Sequence, residues 1–133
     1  MISRQLNLPF RKNSVFLFGP RQVGKSTLVR HLISLEDHYE IDMLKSDILL
    51  KYKSNPSQLR HECEFSLKQK KKLLVFIDEI QRCPDLLNEA HYLIEKYGAK
   101  IKFIMTGSSA RKLERSSVNM RAGRAWQFFL FPF

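Results

Sequence analysis

At 133 residues the chain is long enough for one domain with a real core and too short for two. A hydrophobic content of 44% against 27% charged residues is that of a soluble globular protein, and no run approaches the roughly 18 apolar residues of a membrane span. The net charge of +10 leaves two readings open: a nucleic-acid or other phosphate-rich partner, or a solvated basic surface.

Met1–Asn13 has charges but no apolar core, so it is not a secretory signal, and Pro9 breaks any helix there. It reads as a lead-in segment, residues 1–13, packed loosely against the core. Ser14-Val15-Phe16-Leu17-Phe18 is a short apolar run and predicts a buried strand. Directly after it, Gly19-Pro20-Arg21-Gln22-Val23-Gly24-Lys25-Ser26-Thr27 fits G-x-x-x-x-G-K-[ST], the phosphate-binding loop of nucleotide hydrolases and kinases. Gly19 and Gly24 let the backbone come close to a phosphate, and successive N–H groups point inward at the positive end of a helix. The Lys25 ammonium can reach the β- and γ-phosphates, and the Ser26 hydroxyl can take a place on Mg²⁺. Leu28, Val29, Leu32 and Ile33 then recur at helical spacing, so strand, loop and helix follow in the required order.

Tyr39–Met43 alternates weakly and predicts a second strand. Leu44–Lys53 predicts a helix with Leu44, Ile48, Leu49 and Tyr52 on one side. Asn55-Pro56 stops it and starts another, which runs to about Lys70 with Leu59, Cys63 and Leu67 on its inner face. Lys68, Lys70, Lys71 and Lys72 form a basic run, either a helix end facing water or a nucleic-acid contact. Cys63 and Cys83 lie at no metal-ligand spacing and read as free thiols of a reducing compartment, so cytoplasmic is the simplest location.

Leu73-Leu74-Val75-Phe76-Ile77 is an uninterrupted apolar run, as a parallel sheet covered on both faces requires. It ends in Asp78-Glu79. Asp78 can hold Mg²⁺ opposite Ser26, and Glu79 can polarise a water for attack on the γ-phosphate. The plain alternative is a surface acidic pair closing a strand. Ile80–Pro84 predicts a loop. A helix follows from Pro84 to about Tyr97, its stripe Leu86, Leu87, Ala90, Leu93, Ile94 and Tyr97, with Gly98 as the stop; His91 beside the stripe reads as a packing residue rather than a ligand. Ile101–Met105 is a further strand ending in Thr106-Gly107-Ser108-Ser109. A polar side chain there could sense the γ-phosphate or orient the attacking water, or Ser108 or Ser109 could simply cap a helix. Arg111, Lys112, Arg115, Arg121 and Arg124 come next, and the uncharged Ala125–Phe133 reads as a final buried strand.

The stretches GPRQVGKST, LLVFIDEIQ, FIMTGSS and AGR…LFPF resemble the ATPase domain of an AAA+-type prokaryotic P-loop family. The resemblance implies a three-layer α/β/α fold with a parallel sheet in the order 5-1-4-3-2, formed by residues 14–133. It implies ATP and Mg²⁺ as cofactors. Gly19 to Thr27 match the phosphate loop, Asp78 the metal-associated aspartate, Glu79 the catalytic base and Ser108 the strand-end sensor. Lys25 acts with them on the phosphates, and Arg124 matches an arginine of unassigned role. In that family a helical lid and a further domain follow. The expectation is therefore of an ATPase core cut before its lid, with Ala125–Phe133 covered by the missing domain or by a partner. Two other readings stay open, a small-molecule kinase using the same loop and a basic nucleic-acid-binding module.

Overall fold

The first apolar run is strand β1, Ser14–Phe18, with every residue buried, in a computed structural model that describes residues 14–19, 23–34, 36–108 and 126–130. Helix α1, Val23–Ile33, begins within the G-x-x-x-x-G-K-[ST] stretch, and β2, His38–Asp42, comes next. Helices α2, Ser46–Ser54, and α3, Ser57–Leu67, lead to β3, Leu73–Asp78. A 3₁₀ turn, Ile80–Arg82, joins β3 to α4, Leu86–Tyr97, and β4, Ile101–Gly107, follows. The last strand is β5, Trp126–Leu130. The lead-in 1–13, the arginine-rich stretch with Arg124, residues 131–133 and the side chains of β5 lie outside the described residues.

All neighbouring strands run parallel, in the order β2-β3-β4-β1-β5, which is the expected 5-1-4-3-2 counted from the other edge. Helices flank this sheet, an architecture consistent with a P-loop NTPase-like fold. The Leu73–Asp78 strand is separated from β1 by β4, and the carboxyl-terminal strand pairs with β1 in register Phe16 to Phe128.

Alternation along the strands sorts residues to the two faces. Phe16, Val75, Ile77, Phe103 and Met105 point to one face and pack against Tyr52, Leu59, Cys63, Leu86, Leu87, Ala90 and Leu93 of α2, α3 and α4. Leu17, Leu74, Phe76 and Ile104 point to the other and meet Val29 and Ile33 of α1. Each of Leu86, Leu87 and Leu93 is at most 1% exposed, so each contributes about 1.5–3 kcal/mol of burial. Helix α4 ends where expected: Gly98 takes φ 57°, and its N–H bonds the Ile94 carbonyl.

Three boundaries move. The second strand starts one residue early, at His38. The first helix after it begins at Ser46 rather than Leu44, because the Asp42 carboxylate accepts the Leu44 N–H at 3.0 Å and the Lys45 N–H bonds the Asp42 carbonyl. That turn leaves Leu44 half-exposed instead of on the helix stripe. The predicted Ile80–Pro84 loop contains the 3₁₀ turn, and α4 begins at Leu86.

Candidate active site

The site lies at the carboxyl ends of β1, β3 and β4, where open parallel sheets bind ligands. The Gly19 N–H donates to the Gly107 carbonyl at 3.1 Å, tying the residue that follows β1 to the end of β4. Pro20, Arg21 and Gln22 lie outside the described residues, as do the side chains of Val23 and Lys25. The backbone of Val23, Gly24 and Lys25 forms the first turn of α1, the positive end of its dipole. Ser26 is half-buried and Thr27 exposed.

Asp78 has the parity of Leu74 and Phe76, so its carboxylate emerges on the α1 face. There the Ser26 hydroxyl donates to it, at 2.8 Å from Oδ1 and 2.9 Å from Oδ2. Thr106 shares this face with Ile104, one step beyond the Ile77–Met105 pair of the β3–β4 register. Its hydroxyl donates to Asp78 Oδ1 and accepts the Glu79 N–H at 3.0 Å. Arg30, one turn after Ser26 on α1, lies 3.5 Å from Asp78 Oδ2 and 2.8 Å from Glu40 Oε2, with Asp42 at 3.8 Å. Its guanidinium also sits over the Phe76 ring at 5.7 Å. Burial works against the Arg30 charge, but Glu40, Asp78 and Asp42 outweigh it and raise its pKa above the ordinary value.

Glu79 is 3% exposed and takes the left-handed conformation, φ 62°, ψ 53°. It is the only non-glycine residue with positive φ among the described residues. A side chain held there costs of order 1–3 kcal/mol, and such strain concentrates at functional sites. Glu79 Oε1 accepts from Gln81 Nε2 at 2.6 Å, and Ser108 Oγ is 3.5 Å away. Gln81 Nε2 also reaches Ser108 Oγ at 2.9 Å, while its Oε1 accepts the Ser108 N–H at 3.3 Å. Ser108 is therefore held to Glu79 chiefly through Gln81.

Thr106 stands in the polar strand end that the sequence singled out, holding Asp78; two residues that sequence reasoning passed over, Gln81 and Arg30, also belong to this cluster. Gln81 had a signal, standing two residues after Glu79. Arg30 had one as well, at i+4 from Ser26 on the same helix face. His91 sits half-buried on α4, away from these residues, with a buried Nδ1 that has no hydrogen-bond partner among the described residues.

The donor set suits a hard cation. A serine hydroxyl and a carboxylate face each other across less than 3 Å, and Mg²⁺ is commonly held by one or two protein oxygens, with phosphates and water completing its shell. Among the described residues no helix is long and apolar enough to cross a membrane. A family model described as an AAA domain matches residues 11–133. No curated protein matches the chain.

Proposed function

The chain belongs to the AAA domain family, and from that premise we propose that it binds ATP with Mg²⁺ and hydrolyses the β–γ phosphoanhydride. The observation that carries the reading is the contact of Ser26 with both oxygens of a buried Asp78, followed directly by a strained, buried Glu79. In this proposal residues 14–133 act as the ATPase core. The backbone of residues 19–27 cradles the phosphates, and Lys25 neutralises them.

Ser26 and Asp78 would hold Mg²⁺, which supplies charge neutralisation on the β- and γ-oxygens. Glu79 would accept a proton from the attacking water, and Gln81 fixes its carboxylate with Ser108 close by. Thr106 holds Asp78 and the Glu79 backbone in one arrangement, so metal ligand and base keep a fixed separation. A cytoplasmic location belongs to the same proposal, supported by the two buried free thiols.

Calorimetry with ATP and Mg²⁺ tests it. Lys25→Ala should lose most of the nucleotide affinity, and Asp78→Asn should weaken the Mg²⁺ dependence of binding. Unchanged ATP affinity in Lys25→Ala would end the phosphate-loop assignment. Measuring whether inorganic phosphate or a phosphorylated acceptor is produced separates hydrolysis from kinase chemistry.

A further inference from the structure

At the opposite end of the sheet, the carboxyl ends of α3 and α4 border an open cleft of about 460 Å³ lined by His61, Glu64, Phe65, Leu67, Lys68, Lys96 and Tyr97. Phe65 is 63% exposed there, among the most exposed large apolar side chains of the described residues. The only acid of the lining, Glu64, is already taken: Lys96 Nζ bonds it at 3.0 Å and the Tyr97 hydroxyl at 2.8 Å. Lys96 also lies 5.4 Å from the Tyr97 ring centroid and 5.7 Å from that of Tyr92.

Lys68 lines the cleft; Lys70, Lys71 and Lys72 follow it in the chain before β3, all exposed, as is Lys100 just before β4. Of that run only Lys70 forms an ion pair among the described residues, with Asp37 at 2.7 Å.

We propose that this cleft binds single-stranded nucleic acid, Phe65 offering its face to a base and Lys68, Lys71 and Lys72 tracking the phosphates. Exposed aromatic rings set among cations are what unpaired bases and their backbone require. A duplex keeps its base faces stacked inside and would leave Phe65 unused. A partner presenting only apolar side chains would leave the exposed Lys68, Lys71 and Lys72 without counter-charges. The site sits at the amino ends of β3 and β4, about one strand length, roughly 20 Å, from Asp78, so ATP and nucleic acid can bind together. The inference goes beyond the ATPase reading and does not depend on it.

The test is fluorescence anisotropy of the full chain with a labelled oligo-dT of about 15 nucleotides, without Mg²⁺ or ATP. Affinity should fall by more than about tenfold between 50 and 200 mM salt, as three or four phosphate contacts imply. Phe65→Ala should weaken binding by about 5- to 150-fold, the range for loss of one base stack. Lys68→Glu combined with Lys71→Glu should weaken it further and flatten the salt dependence. Leu50→Ala, a change at another exposed apolar residue, should leave binding as in the parent. The proposal is overturned if the oligonucleotide does not bind at 50 mM salt, or if Phe65→Ala and the lysine reversals leave binding unchanged. It also falls if excess ATP displaces the oligonucleotide, or if a duplex binds more tightly than the single strand.

Discussion

The two faces of the sheet are made by the same strands and do different work. On the face covered by α2, α3 and α4, the inward side chains are apolar from one end of the strands to the other: Leu73, Val75 and Ile77, then Ile101, Phe103 and Met105. On the α1 face the apolar stripe of Leu74, Phe76 and Ile104 gives way, at the strands' carboxyl ends, to Asp78 and Thr106. One residue step along β3 separates a packing side chain, Ile77, from the carboxylate that meets Ser26. A sheet buried on both faces can thus hold a polar cluster rigidly, because the opposite face fixes the strands and only the strand ends carry chemistry.

That division can be broken by a substitution on the packing face that disturbs the site. Phe103 is fully buried among α4 and its neighbours, and Phe103→Ala should cost about 3–5 kcal/mol in chemical denaturation. The folded fraction should bind ATP as the parent does. Loss of affinity in the folded chain would show that the two faces are not separable.

Thr106→Val sharpens the comparison from the other side. It keeps the shape but removes the hydroxyl, leaving the Glu79 N–H without that acceptor and Asp78 Oδ1 without that donor. The expected loss is about 1–3 kcal/mol of stability, with ATP turnover reduced as well. A variant as stable and as active as the parent would mean that this link does not position the carboxylates.

How much of this could be read in advance differs between the faces. The apolar runs at 14–18, 73–77 and 101–105 and the α4 stripe are local patterns, and they mark the buried strands and the helix over the packing face well. So is the phosphate-loop motif, which orders β1 and α1 around it. The contact of Thr106 with Asp78 is not local: it joins residues 28 apart through the β3–β4 register, and a threonine at a strand end gives no sign of its partner. The left-handed Glu79 was equally hidden, since nothing in its side chain favours that conformation. Leu44 misled because apolar spacing continued across a turn set by the Asp42 carboxylate.

A smaller effect separates a polar network on the packing side from the site. Glu62 of α3 accepts bonds from the Tyr39, Tyr52 and Gln58 side chains and pairs with Lys51 at 2.6 Å. Burial alone would raise its pKa, but Lys51, Tyr52, Tyr39 and Gln58 outweigh it and hold it below the ordinary carboxylate value. A depressed folded pKa gives stability that is present above the unfolded value, about 4.3, and is lost as pH falls through the folded one. Glu62→Gln should therefore flatten the acid limb of the stability curve while leaving the pH profile of ATP turnover unmoved. A shifted turnover profile would tie this network to the site.

The smallest effect belongs to Arg30, whose side chain is 40% exposed. Arg30→Gln should change stability by no more than about 1 kcal/mol, and by less at high salt, as for a solvent-screened ion pair. A larger loss that persists in salt would make Arg30 a structural support of Asp78 and move it into the group with Thr106.

The central claim is that the polar end of the α1 face hydrolyses ATP with Glu79 as the base. Phosphate release and ATP occupancy, measured in the same samples of the parent chain and Glu79→Gln, test it most directly. Occupancy should be equal, and release should fall by about 10²-fold or more in the variant, as loss of a general base implies. Equal release from both chains at equal occupancy would contradict the claim.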